Sequence, residues 1–186
     1  MGAGKSTALA TLERLGAAVA SSDALVHELY EGEEKLREAV LDRWGTAVAP
    51  EGVVDRAAVA ERAFASAEDR VWLEALVWPL VGARVAAWLE RVRGEEPRPR
   101  AAVVEVPLLF EAGLESIYDA TIAVVSDERV RQARAAERGH ALTEERAARQ
   151  LSQEEKERRA TFVVRNDGSE EDLERELSTV LDKLGR

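Results

Sequence analysis

The chain opens on Met1-Gly2-Ala3-Gly4-Lys5-Ser6-Thr7, the back half of the phosphate-binding pattern GxxxxGK[ST]. This stretch constrains the fold more than any other, because the pattern belongs where a buried strand hands over to a helix. Glycines let the backbone take positive φ and bring successive N–H groups close to an anion. The lysine adds a point charge, the following hydroxyl can ligate Mg²⁺, and the helix that starts there directs its positive end at the same anion. Gly2, Gly4, Lys5 and Ser6 fill these places, with Ala3 and Thr7 beside them. Leu9, Leu12 and Leu15, with Ala8 and Ala10, then give an apolar helical face that stops at Gly16. The competing reading of the tetrapeptide Gly-Lys-Ser-Thr is a chance match in a frayed terminus. The first glycine of the full pattern would precede Met1, and a strand would precede that. The expectation is a chain truncated within the loop, or one whose start was assigned to an internal methionine, so that the first central strand is absent.

Composition narrows the rest. A chain of 186 residues is long enough to bury one sizeable core, with a smaller appendage at most. The absence of cysteine excludes disulfides, thiolate zinc sites and thiol nucleophiles. No apolar run approaches the length of about 20 residues that spans a bilayer, and no leader precedes the loop, so a cytoplasmic protein with no membrane partner is expected. A net charge of −10 argues against nucleic acid as a partner. Residues 127–159 are different, with nine Lys and Arg against eight Asp and Glu. That local balance suits a small polyanion, or else a set of salt-bridged helix faces.

Strands and helices alternate along the chain. Ala17–Ala20 reads as a buried strand ending at Ser21-Ser22-Asp23, with a helix from Ala24. Asp23 therefore sits at the strand end where open α/β sheets bind ligands, as a helix cap, a general base or a ligand of metal-bound water. Helical segments fill the chain to Val92, with a break at Trp78-Pro79, and Trp72, Trp78 and Trp88 are read as core. Ala101–Val106 reads as a buried parallel strand, with Glu105 near its end needing a partner. Pro107 to Leu114 reads as a short helix. Thr121–Val125 and Phe162–Val164 are the remaining strands, Ser126-Asp127 a cap, Asn166-Asp167-Gly168 a turn, and Ser169 the cap of an amphipathic last helix. His27 and His140 carry no expected role. This is an α/β, doubly wound parallel sheet of the P-loop NTPase type.

Four stretches together resemble the dephospho-CoA kinase family: Gly2-Ala3-Gly4-Lys5-Ser6-Thr7, Ser22-Asp23-Ala24, Val104-Glu105-Val106-Pro107-Leu108-Leu109-Phe110-Glu111, and Asn166-Asp167-Gly168. The phosphate loop is shared by a large superfamily, whereas the Pro-Leu-Leu-Phe-Glu run in register with the other three is specific. The resemblance implies transfer of the γ-phosphoryl of ATP to the 3′-hydroxyl of dephospho-CoA by a monomer that uses Mg²⁺. It implies that Gly2 to Thr7 hold the ATP phosphates, that Ser6 binds the Mg²⁺, and that Lys5 and Asp23 are catalytic, Asp23 accepting the hydroxyl proton. Glu105 would lie close to the acceptor or the metal water, Pro107 and Leu108 would face the acceptor, Asn166 the adenosine of ATP, and an arginine of the lid, Arg138, Arg146 or Arg149, the phosphates. Of these three Arg138 is the one chosen. The implied organisation is a nucleotide-binding core of residues 1–24, 101–126 and 160–186, a helical CoA-binding insertion of residues 25–100 and a lid region of residues 127–159.

The chain also departs from the family pattern. Ser21 replaces the first aspartate of a DAD signature. Trp78-Pro79-Leu80-Val81-Gly82 stands where HPxVR is expected, leaving Arg84 as the nearby arginine for the acceptor. The alternatives are another P-loop nucleoside or nucleotide kinase, and an inactive truncated homologue.

Overall fold

The computed structural model describes residues 2–50, 52–131 and 150–185. They divide into two compact units, the first formed by Met1–Val19 and Glu95–Arg186, the second by Ala20–Gly94.

In the first unit, helix α1 (Lys5–Arg14) buries Ala8, Thr11 and Leu12, an i, i+3, i+4 face. Leu9 is half-buried and Ala10 exposed, so the buried face is narrower than the apolar residues suggest. Strand β1 (Ala18–Ser21) leaves this unit and pairs with β2 (Ala102–Glu105). Strands β3 (Ile122–Val125) and β4 (Phe162–Arg165) form a parallel pair in the register Ile122↔Phe162 to Val125↔Arg165. The described strands thus form two pairs rather than one continuous sheet, and no described strand joins β2 to β3. All four are half-exposed in part, and β2 is less buried than its apolar run predicts.

Both ends of the β3–β4 ladder are closed by side chains. The Thr121 N–H donates to Thr161 Oγ1 (3.1 Å) and the Thr161 N–H to Thr121 Oγ1 (3.0 Å). At the far end Ser126 Oγ donates to the Asn166 carbonyl (3.0 Å). The last helix, α7 (Glu170–Leu184), begins with a capping box. The Asp172 N–H donates to Ser169 Oγ, and the Asp172 carboxylate accepts from the Ser169 N–H. Its Leu173, Leu177, Val180 and Leu181 pack with Ala8 and Leu12 of α1 and Val164 of β4, the main core of this unit. A second cluster gathers Phe110 with Ala123 and Val125 of β3.

The second unit is helical: α2 (Ser22–Gly32), α3 (Glu34–Trp44), α4 (Arg56–Ala65) and α5 (Ala67–Arg93). Leu29, Leu36, Val40, Val48 and Val59 form its core. Asp55 and Ser66 cap α4 and α5 through their side chains. Arg43 bonds Asp69 (2.7 Å) and lies over the Trp72 ring, which meets Trp44 edge-on, so one cation joins α3 to the start of α5. Three expectations are corrected here. Helix α5 runs unbroken through Pro79, because the carbonyl it cannot bond, that of Ala75, lies on the exposed side while Leu76, Val77, Leu80 and Val81 hold both flanks in the core. Trp78 is not core but 49% exposed, since it projects from that outer side. And α5 is long and apolar enough to cross a membrane by length and composition, although Val77 is buried and Leu73, Leu76, Leu80 and Val81 pack against the core of this unit.

Leu177 is 0% and Leu184 36% exposed. Leu177→Ala is expected to lower the unfolding free energy by about 3 kcal/mol, against about 1 kcal/mol or less for Leu184→Ala. Urea denaturation followed by far-UV circular dichroism measures both.

Candidate active site

The phosphate loop is shaped by two left-handed glycines, Gly2 at φ +83° and Gly4 at φ +85°. Gly4 is the N-cap of α1 and uses no side chain, so the first N–H groups of the helix have no intrahelical partner. Lys5 is half-buried and Ser6 exposed on this first turn. Gly2 is required on a second ground. A Cβ there would lie 2.7 Å from the Arg131 carbonyl oxygen, where helical backbone beginning at residue 128 packs on the loop.

Asn166 closes the loop from below. Its Nδ2 donates to the Ala3 carbonyl (2.9 Å), its N–H to the Val125 carbonyl (2.9 Å), and its own carbonyl accepts from Ser126 Oγ. Ser126 is 2% exposed. Its Oγ also lies 2.8 Å from Asp167 Oδ1, which takes the Asp127 N–H as well, so Ser126 is a buried junction and not a simple cap. The Ser126 peptide is gripped at both polar atoms by Gln153, whose Oε1 accepts from its N–H (3.0 Å) and whose Nε2 donates to its carbonyl (2.8 Å).

Gln153 begins helix α6 (Gln153–Arg159), none of whose residues is fully buried. Charge holds it in place. The Pro107–Gly113 stretch is a series of hydrogen-bonded turns rather than the expected helix, turning at Gly113 with φ +67°. These turns present Glu111, whose side chain is 11% exposed, to the Leu151 N–H (3.0 Å) and to Lys156 Nζ (2.8 Å). Glu115 bonds Arg159 Nε (2.8 Å), and the same guanidinium lies over the Phe110 ring. That guanidinium holds the Glu115 carboxyl below its ordinary value, helped by a backbone hydrogen bond.

The structure therefore brings Gly2, Ala3, Gly4, Lys5 and Asn166 together. Glu105 is half-buried at the end of β2, followed by half-buried Pro107 and Leu108, which is 44% exposed. Asp23 and Arg84 belong to the second unit. Asp23 is not the cap of α2. That position is Ser21, and Asp23 is an exposed residue of the first turn with no hydrogen bond or ion pair among the described residues of its unit. Arg84 pairs with Glu33 at 3.3 Å. Arg138, Arg146, Arg149 and His140 lie outside the described residues. Among the described residues no group of His, Cys, Asp or Glu could by itself hold a metal, so a metal at this loop would rest on Ser6 and on the phosphates it accompanies. Arg131 and Gln153 carry no signal in the sequence, and Ser126 is read there only as a cap. Their roles are backbone approach and hydrogen bonds across 27 to 40 residues, which leave no local pattern.

Compared with known proteins, residues 1–172 match the model of the dephospho-CoA kinase family. The chain belongs to the dephospho-CoA kinase family. It is 40% identical to a dephospho-CoA kinase of Deinococcus radiodurans over 190 residues, covering 99% of this chain and 88% of the relative. It is 39% identical to that of Thermus thermophilus over 189 residues, with the same coverage. Among solved structures, TT1252 from Thermus thermophilus superposes with a TM-score of 0.81 at 37% identity, over 99% of this chain and 93% of that one. A dephospho-CoA kinase from Campylobacter jejuni shares the fold, with a TM-score of 0.63 at 24% identity over the same shares of the two chains. The α/β P-loop kinase architecture expected from the head of the chain is thus the fold of this family.

Gly2→Ala is expected to weaken ATP binding about tenfold or more, since a side chain at positive φ costs about 1–2 kcal/mol before the approach to Arg131 is counted. Gly52→Ala, at φ +80° but with nothing within 4 Å, should leave ATP binding unchanged; calorimetric titration compares the two. The Glu115 contribution to stability is present above the ordinary carboxyl value of 4.5 and is lost as pH falls through its lowered folded value. Glu115→Gln should therefore destabilise the protein at pH 7 and converge with the wild type as pH falls through that lowered value, as read by chemical denaturation.

Proposed function

We propose that this chain transfers the γ-phosphoryl group of ATP to the 3′-hydroxyl of dephospho-CoA, giving ADP and coenzyme A. The observation that carries this reading is a two-glycine phosphate loop, held by Asn166 at the head of α1, in a chain whose family match runs through residues 1–172. Phosphoryl transfer needs little covalent chemistry from the protein. It needs the phosphates fixed and their charge neutralised.

The N–H groups at the start of α1 and the Lys5 ammonium serve that end, and Gly2 gives the backbone room to close around the anion. Ser6 would hold a Mg²⁺ that arrives with ATP, and the ion would supply positive charge against the phosphates. In the transfer, the bond from the γ phosphorus to the β–γ bridging oxygen breaks and one to the 3′-oxygen forms. Asp23 takes the hydroxyl proton. Its lack of any hydrogen bond or ion pair among the described residues of its own unit suits a base that must accept one from a substrate. Glu105, Pro107 and Leu108 face the acceptor, and Arg84 contributes to its binding by exchanging Glu33 for a substrate anion.

A coupled ADP-release assay tests the reading. Dephospho-CoA should support turnover and nucleoside monophosphates should not; the reverse preference would overturn it. Asp23→Asn should lower turnover by about a hundredfold or more while ATP affinity stays unchanged.

A further inference from the structure

The Asn166 side chain bonds the backbone of the phosphate loop, and its residue is 6% exposed. The amide donates to the carbonyl of Ala3, the one residue between the two left-handed glycines. In a trans peptide the C=O and the following N–H point in opposite directions. Drawing the Ala3 carbonyl toward Asn166 therefore turns the Gly4 N–H to the other side of the loop. Flanking residues at positive φ leave this peptide plane free to rotate unless something holds it, because glycine restricts its own dihedrals least.

Asn166 is itself immobilised. Its N–H is bonded to Val125 and its carbonyl to Ser126 Oγ. Ser126 is held in turn by Asp167 and by both polar atoms of the Gln153 side chain. The result is a continuous polar chain from Gln153 on α6 through Ser126 and Asn166 to Ala3, nearly all of it shielded from water where it matters, with Ser126 at 2% exposure.

We infer that Asn166 is a positioning residue of the phosphate loop, setting the Ala3–Gly4 peptide plane for anion binding, and that Ser126 and Gln153 set Asn166 from α6. This rests on the reading of the loop as a phosphate site and assigns the amide a task separate from contact with adenosine. A group that orients the loop must affect any polyphosphate equally, whereas a group that reads the base must affect nucleotides alone.

The experiment is calorimetric titration of Asn166→Ala and Ser126→Ala with inorganic tripolyphosphate and with ATP, both in MgCl₂, alongside thermal melts. Asn166→Ala should weaken tripolyphosphate about tenfold and ATP by the same factor. Ser126→Ala, which keeps the amide and removes its support, should weaken both about threefold, within the range of one net hydrogen bond. Hydrogen exchange at the Gly4 amide should rise in both variants. If Asn166→Ala does not fold, Ser126→Ala carries the same comparison. Unchanged tripolyphosphate affinity in the folded variants overturns the inference, whether ATP weakens, which would assign the amide to adenosine, or only the melting temperature falls. Failure of the wild type to bind tripolyphosphate overturns it as well. Neither readout involves dephospho-CoA, so a wild type that binds tripolyphosphate but does not phosphorylate dephospho-CoA would count against the proposed reaction and leave this inference standing.

Discussion

Parallel strands have no tight turn to set their register, so β3 and β4 depend on what lies at the two ends of their ladder. Thr121 with Thr161 at one end and Ser126 with Asn166 at the other hold the same separation of 40 residues that runs through the pairing. A slip of one residue would send Val164 away from α7 and would carry Asn166 off the Ala3 carbonyl. The geometry of the phosphate loop is therefore a consequence of strand register some 160 residues away in the chain. The packing of α7 against α1 and β4 stabilises that register by burying an uninterrupted leucine face.

Helix α6 is attached to this frame by a different kind of force. Its residues bury no apolar side chain fully, and it is held by Gln153 on Ser126, Lys156 on Glu111 and Arg159 on Glu115. Glu111 and Glu115 both come from the turns that follow the Pro-Leu-Leu-Phe run, and Phe110 from the same turns fills the cluster against Ala123 and Val125. The family-specific stretch thus has an apolar end that packs on β3 and an acidic end that grips α6. A helix docked by ion pairs and amide bonds, without a buried apolar stripe, opens at lower cost than one seated in a core.

Much of this was legible in the chain itself. The helix caps Asp55, Ser66 and Ser169, the buried leucines of α7 and the left-handed glycines of the loop follow from local chemistry acting over three or four residues. The misreadings share a cause. Pro79 was expected to end a helix by a local rule, but packing on both sides of it prevails. Trp78 was expected inside by residue type, but its angular position on α5 puts it outside. Asp23 was weighed as a cap, but the helix begins one residue before it.

The sequence by itself determined the family, the phosphate loop, the order of strands and helices and the buried face of the last helix, because these are written in patterns of short range or in motifs. Only the tertiary structure decided what holds the loop in shape: that Asn166 turns to Ala3, that Ser126 is a buried junction, that Arg131 leaves room only for glycine at position 2, and that Gln153 closes the chain of bonds. Those contacts join residues far apart in sequence. Hydrogen bonds of this kind depend on where the backbone brings two groups, and no local spacing encodes that.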